Sequence, residues 1–403
     1  MNRALYAGLS STTAQQVRMD VAANNLANVS TVGFKAGRTE FQDAFYQTLR
    51  SGMASTETSG GISPMQVGVG VSVASVGTLD TQGALQSTGQ ALDAAIDGAG
   101  MFVVKGPEGT FYTRDGAFTL DDANTLVMAS SGLRVQGWMA SDGKIDTTRP
   151  LTDLVFPLRT MRAPRATTQM VLEGNLASGA TTATTSSASV YDSLGVTHQV
   201  ELTFTPTGTP GTWDVTVAFD GSPVGPASSL TFGTDGRLSA GSPITFSATP
   251  TGAAPMTVDV DLSQITQYVT GDAVTVQSQD GYGPAALQSL AITSGGILQG
   301  SYSDGRSMTL GQIAIANFVN PGGLQRTGNN LYVSNSASGL AQIGAAGTGG
   351  RGNVVGQSLE ASNTDLTSSF LDMLITQRAY QASTRVISTA SSLIEDAIAL
   401  ANR

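Results

Sequence analysis

Residues 366–401 read LTSSFLDMLITQRAYQASTRVISTASSLIEDAIALA. Leu366, Phe370, Met373, Gln377, Tyr380, Thr384, Ile387, Ser391, Ile394, Ile398 and Ala401 fall on an alternating four-then-three spacing. That spacing keeps one face of a helix turned toward a partner helix, as in the a/d seam of a coiled coil. At the other end of the chain, Leu5, Leu9, Thr12, Gln16, Met19, Ala23 and Leu26 repeat it. Thr12, Gln16, Gln377, Thr384 and Ser391 sit where an isolated coiled coil would place Leu or Ile. Polar groups there cost stability and help to set register and partner. The first helix has only about three heptads, and nucleation makes so short a helix marginal in water. Both ends are therefore expected to be poorly ordered in the free monomer and to fold against other copies. The same spacing also fits two amphipathic helices packed on a globular core.

Asn363 is the expected N-cap of the C-terminal helix, with Asp365 in its first turn near the positive end of the dipole. No Pro or Gly follows Asn363. At ~1.5 Å rise per residue, roughly 38 residues would make a rod of roughly 57 Å.

The 403 residues between and including these ends leave room for two or three domains. Charged residues make up 12% of the chain, about half the usual share. A net charge of −10 disfavours nucleic-acid backbone as a partner. The chain has no Cys, which removes thiol catalysis, disulfides and Cys-ligated zinc together. MNRALYAGLSSTTAQQVRMD has no long apolar core, so no Sec-type signal is expected. No apolar run reaches the ~18 residues a membrane span needs. On these terms alone the chain reads as cytoplasmic.

After the first helix, ANNLANVSTVGFK at 23–35 supplies Asn, Ser and Gly, so the helix should end near Asn28. A short amphipathic stretch with Phe41, Ala44, Phe45 and Leu49 follows. Residues 50–66, RSGMASTETSGGISPMQ, read as a flexible loop. From Val67 the period changes to two, through Val69, Val71 and Val73. Residues 101–105, 110–113 and 117–120 are strand candidates between turn signals at 106–109 and at Asp115-Gly116. Asp-Gly recurs at 97, 115, 142, 220, 235, 280 and 304, which argues for antiparallel sheets.

Residues 151–280 form a second β-rich region. Val200, Leu202 and Phe204 alternate, as do Trp213, Val215, Val217 and Phe219; Leu230 with Phe232, Ile244 with Phe246, and Val258, Val260 with Leu262 continue the pattern. This predicts a separate β-sandwich or barrel, flanked by Pro150 and Pro157 before it and by the turn-rich Ser278–Pro284 after it. Residues 289–293, 296–300, 312–317 and 330–333 return to short strands, read as completing the sheet begun by 67–150, although independent consecutive domains would give much the same pattern. The fold class expected is mainly β with α-helical coiled-coil termini, a nested chain with two β-rich domains of sandwich or barrel type between the helices. The expected division is 1–30 with 363–403 as a terminal core, 31–66 with 354–362 as a connecting segment, 67–150 with 281–353 as an inner β domain, and 151–280 as an outer one.

Candidate chemistry is sparse. His198 is the lone histidine, and its acidic neighbours Asp192 and Glu201 lack ligand spacing, so a sheet-edge or loop histidine is expected. No G-x-S-x-G motif accompanies it. GAAGTGGRGNVVG at 344–356 lacks the dinucleotide spacing and reads as a loop. Asp121-Asp122 lacks the calcium-loop pattern and reads as a turn. No catalytic, cofactor or metal site is expected.

Four segments carry a family resemblance: ANNLANVSTVGFK at 23–35; ALDAAIDGAGMFVV, YTRDGAFTLDDANTLV and GLRVQGW within 91–138; LGQIAIANFVNPGGLQRTGNNLY at 310–332; and SLEASNTDLTSSFLDMLITQRAYQASTRVIST at 358–389. They resemble the rod and hook family of axial proteins of the bacterial flagellum. Rod members are shorter and lack a large second β domain, so the insertion and SVYDSLGVTHQVELTF at 189–204 resemble the hook branch. The loop at 50–66 instead resembles the distal rod branch. The resemblance implies a structural subunit, exported unfolded through the flagellar type III apparatus, which polymerises with itself into a helical tube. It implies a flexible joint that passes motor torque to the filament. It further implies contacts with the distal rod protein, the hook cap protein and the hook–filament junction proteins, no nucleic acid, no membrane span, and a place outside the cell. The assembly residues it implies are Leu5, Leu9, Met19, Asn24, Asn25, Leu26, Asn28, Gly33 and Phe34, with Leu366, Phe370, Met373, Gln377, Tyr380, Ile387, Ile394 and Ile398. Alternatives are a distal rod subunit and, from another class, a β-rich adhesin-like surface protein; residues 23–35 and 358–389 argue against the latter.

Overall fold

The computed structural model describes residues 2–54, 60–141, 143–156 and 161–401. Helix α1 (Asn2–Ala27) opens the chain and helix α2 (Leu366–Ala401) closes it, with short strands between. The mainly β class with helical termini is observed. The chain divides into two compact units. The first is Met1–Pro157 with Ser289–Ser301 and Ser307–Arg403; the second is Leu158–Gln288 with Tyr302–Arg306. Asp142, Pro157 and residues 55–59 of the expected loop lie outside the described residues, as does the side chain of Ala401.

In the first unit, α1 ends where its asparagines can satisfy the orphan carbonyls of the last turn. The Asn28 amide reaches Asn24 O at 3.1 Å, and its side chain donates to the Asn24 backbone and side chain at 2.9 and 2.8 Å. Helix α2 starts differently from expectation. Its cap is Asp365, whose carboxylate accepts from Thr367 N at 2.9 Å and Ser368 Oγ at 2.5 Å. Asp365 directly precedes the helix, where a carboxylate reaches the free amides. Asn363 is occupied elsewhere: it accepts from Ala36 N at 2.7 Å and donates to Leu79 O at 2.8 Å.

The stretch holding Phe41, Ala44, Phe45 and Leu49 is extended. Gly37–Asp43 pairs antiparallel with Val71–Thr78, and Tyr46–Arg50 with Met65–Gly68. A bridge between Met53 and Ile62 continues the second hairpin into the expected loop. The aromatic and β-branched residues Phe41, Tyr46 and Thr48 favour an extended backbone, and this outweighed the Ser/Gly content of the stretch that follows.

The inner sheet runs, in hydrogen-bonded order, through Ile297–Tyr302, Ser307–Ile313, Arg134–Met139, Met101–Gly106, Gly109–Thr113, Leu331–Val333 and Gln325–Gly328. Most expected strands appear within a residue or two, but the one expected at 289–293 runs from Ala285 to Ile292, and 312–317 is split at Ala314 between Ser307–Ile313 and Ile315–Asn317. The run from Val67 does not begin this sheet: it divides into Met65–Gly68 and Val71–Thr78, which pair in the two separate hairpins. Residues 101–104 are buried on both faces. Phe102 and Val104 join one core with Leu126, Met128, Leu154 and Ile313; Met101 and Val103 join another with Tyr112, Trp138 and Phe318. A strand covered on both sides reads as a continuous apolar run, as MFVV does. Residues expected as a glycine-rich loop include the strand Asn353–Gly356, which pairs with Ala94–Asp97. Asp121 forms a turn, accepting from Thr125 N at 2.7 Å.

The second unit is a sandwich. One sheet orders Thr184–Tyr191, Thr197–Pro206, Thr212–Phe219, Ser228–Phe232 and Leu238–Ala240, and the other Ile244–Ala248, Met256–Thr266, Gln169–Asn175 and Ala273–Gln279. Every alternating residue picked out there by the period of two is buried in one shared core. One pairing departs from the antiparallel expectation: Gln169–Asn175 runs parallel to Met256–Thr266. The intervening chain is long enough for such a crossover because it forms the whole other sheet.

Candidate assembly surface and its root

The two helices pack antiparallel, and the face they share is small and polar. A Cβ on Gly8 would lie 2.7 Å from Ile387 Cγ1; Ser11 Oγ and Ser383 Oγ are 2.8 Å apart; Arg18 pairs with Asp372. Gly8 lets the backbones approach where a larger residue would hold them apart.

The seam residues expected to meet across this pair do so only in part. Ile387 lies against Gly8, and Leu5, Met19, Leu26, Met373, Tyr380 and Ile394 are partly buried. Leu9, Leu366, Phe370 and Ile398 are each more than half exposed, and Gln377 is also exposed. The helices have turned so that α1 presents position 8, not 9, to its partner, about 100° around the helix. Small residues win the intrachain contact because they allow the closest approach, and the bulkiest apolar groups are left outside. Leu371, Ile375, Val386, Leu393 and Leu400 extend that uncovered surface along α2. Tyr6 and Leu9 do the same on α1, above a groove of about 460 Å³ lined also by Val71 and Val73. Exposed apolar area on this scale is rare on a monomer and makes this face the candidate interaction surface.

The roots of both helices are tied into one buried cluster. Lys35 Nζ donates to Glu360 Oε1 at 2.6 Å and to Thr81 O at 2.8 Å. Arg114 Nη1 reaches Glu360 Oε2 at 3.1 Å, and its Nη2 reaches Gly98 O at 2.7 Å. Gly83 N adds a third donor to Glu360 at 2.9 Å. All three side chains are essentially without solvent contact. Burial pulls the Lys35 ammonium below its ordinary pKa of 10.5; the hydrogen bond to Glu360 opposes the shift, and Arg114 adds to it. Charges so buried persist only when paired and hydrogen-bonded.

Around this cluster, Gly33 N donates to Glu360 O at 2.8 Å with φ +67, and any Cβ there would sit 2.7 Å from the Arg114 carbonyl carbon. Phe34 is buried beneath the Arg326 guanidinium, 5.5 Å from its ring centre. Asn330 donates to Val32 O at 2.9 Å, and Asn25 exchanges two bonds with Gly37, at 2.8 and 2.7 Å. Asn25, Gly33 and Phe34, expected in an assembly interface, are thus engaged inside the chain. Asn24 is exposed, and Asn28 is occupied in closing α1. Glu360, Arg114, Arg326 and Asn330 were missed as site residues. The available signal was that all four lie within the segments that carry the family resemblance, in a chain poor in charge.

Four family descriptions match in chain order. Residues 5–35 match "Flagella basal body rod protein" and 95–171 match "Flagellar hook protein FlgE/F/G D1 domain". Residues 164–282 match "Flagellar basal body protein FlaE D2 domain" and 355–400 match "Flagellar basal body rod FlgEFG protein C-terminal". These define an axial protein of the bacterial flagellum. The flagellar hook protein FlgE of Borreliella burgdorferi is 36% identical, covering all of both chains, and that of Treponema pallidum 35%, covering 99% of this chain and all of the relative. The Escherichia coli hook protein is 32% identical over 97% of this chain and 98% of its own. A crystal structure of Helicobacter pylori FlgE2 shares the fold, with a TM-score of 0.52 at 15% identity, covering 67% of this chain and 99% of that one. The chain belongs to the flagellar hook protein family, and its place is the hook and basal body of the bacterial flagellum.

Proposed function

We propose that the chain polymerises into the helical tube of the hook through the uncovered apolar faces of α1 and α2, and that the tube acts as a flexible joint passing torque to the filament. The observation that carries this reading is the helix pair itself. Its internal contact uses Gly8, Ser11 and Ser383, while Leu9, Leu366, Phe370 and Ile398 face outward. Each such side chain buried against a neighbouring copy contributes roughly 1.5–3 kcal/mol before ordering costs. A head-to-tail interface whose rotation does not close gives a filament.

On this reading 1–30 with 363–403 form the tube, 31–66 with 354–362 the connector, and the two β domains follow the expected 67–150 with 281–353 and 151–280, with the boundary between them moved to the edges of the second unit, Leu158–Gln288. The packed helices resist twist, and the uncharged Ser/Thr/Gly surfaces of the β domains slide as the tube bends. Assembly partners on this reading are further copies, the distal rod protein, the hook cap, the junction proteins and the type III export apparatus, with the assembled subunit outside the cell. The role is structural, without enzymatic turnover.

Deleting the gene and imaging isolated basal bodies by electron microscopy tests the reading. A complete rod without a hook is the expected result. A truncated rod would assign the chain to the distal rod, and an intact flagellum would contradict both.

A further inference from the structure

The lone histidine is held between two carboxylates. His198 Nδ1 lies 2.7 Å from Asp220 Oδ2, and Nε2 lies 3.3 Å from Asp192 Oδ2. The ring stacks on Phe219 at 4.9 Å, and its register partner on the neighbouring strand is the buried Val190. Asp192 and Asp220 are the titratable groups that meet it. Asp192, itself buried, has its other oxygen bonded to the amides of Leu194 and Val196 at 2.9 and 2.8 Å. Asp220 stands at φ +47 in the turn after Thr212–Phe219, and its other oxygen accepts from Gln199 N at 2.9 Å.

A neutral imidazole has one N–H and one lone pair, so it can serve only one of two flanking carboxylates. The other would then face a lone pair. Only the imidazolium, a donor at both nitrogens, satisfies this geometry. We propose that His198 is a proton-dependent latch in the sandwich unit, closed when the ring is doubly protonated and joining the 192–196 turn to the 220 turn.

Supporting shifts agree. Burial of the ring lowers its pKa, but hydrogen bonds and charge from Asp220 and Asp192 outweigh that and raise it above the ordinary 6.5. Asp220 is held below the ordinary carboxylate value by His198; burial raises Asp192, but the Val196 amide and His198 bring it below as well. The sign follows. The histidine's contribution is complete below its unfolded pKa and is lost as pH rises through the higher folded value. The aspartates' contribution is present above 3.8 and is lost as pH falls through their lower folded values. Folding of this unit therefore takes up a proton between the ordinary 6.5 and the higher folded value, and the latch opens as pH rises through that value.

Because the chain has one histidine, its Hε1 resonance in the full-length monomer reports the site without assignment. The expected midpoint lies above 6.5 and falls toward 6.5 in Asp220→Asn. Across that midpoint the Tm of the unsubstituted chain falls as pH rises, and His198→Gln removes the fall. A midpoint at or below 6.5 in the unsubstituted chain overturns the latch. So does a folded Asp220→Asn chain with an unmoved midpoint, or a His198→Gln chain that keeps the pH-dependent fall in Tm.

Discussion

Glu360 is one side chain on which two cations depend. Glu360→Gln leaves Lys35 and Arg114 buried beside a neutral amide, and removing one partner of a buried pair costs about 3–5 kcal/mol. Chemical denaturation followed by tryptophan fluorescence should show that loss in the first unit, where Trp138 reports. An unchanged midpoint would mean that the cluster is incidental. Gly33→Ala meets two obstacles: a left-handed φ and Arg114 backbone 2.7 Å from the new Cβ. The φ alone costs on the order of 1–3 kcal/mol, so the same assay should show a loss at least that large. At this scale the sequence was partly legible. GFK and SLEASN stood out as motifs, but the pairing of Lys35 with Glu360 joins residues 325 apart and leaves no local trace. Asn363 and Asp365 are both good caps, and the choice between them was made by Leu79 and Ala36, residues remote in sequence.

The elements differ in how openly they declare themselves. In the sandwich, Val200, Leu202, Phe204, Trp213, Val215 and Val217 alternate with polar residues because one face of each strand meets the core, and all are buried there. Phe204→Ala should cost about 3–5 kcal/mol by leaving a cavity, seen as a lowered Tm of the second unit by calorimetry. The helices were legible in length and period, but the period did not say which seam residues meet within the chain and which are left for another copy. A periodicity of apolar residues marks where a partner is needed without saying whether that partner is the same chain. The residues that bring α1 and α2 together are Gly8 and serines, which carry no hydrophobic signal. Gly8→Leu should push the helices apart, at about 1–3 kcal/mol for overpacking, lowering the amide-exchange protection of 8–18 and 372–387. Unchanged protection there would place the helix contact elsewhere. The 46–68 hairpin was hidden by its Ser/Gly content, since a two-stranded ribbon has no core to impose alternation.

At the scale of the whole molecule, on the proposed function, assembly falls to the terminal helices and surface sliding to the β-rich parts. Replacing residues 164–282 by a short linker should leave a tube of altered curvature; loss of all polymer would mean that the sandwich is needed for assembly itself. The helices at the two ends were readable because the period changes there, but the nesting of the second β unit within the first was only suggested, since both β parts share a period of two and consecutive domains would have given much the same pattern. The chain carrying Leu9→Ser with Phe370→Ser, both exposed positions, would be compared with the unsubstituted chain for monomer Tm and, in a strain lacking the native gene, for hooks on isolated basal bodies by electron microscopy. The expected result is an unchanged monomer Tm and rods without hooks. Hooks of normal length and number on those rods would contradict it.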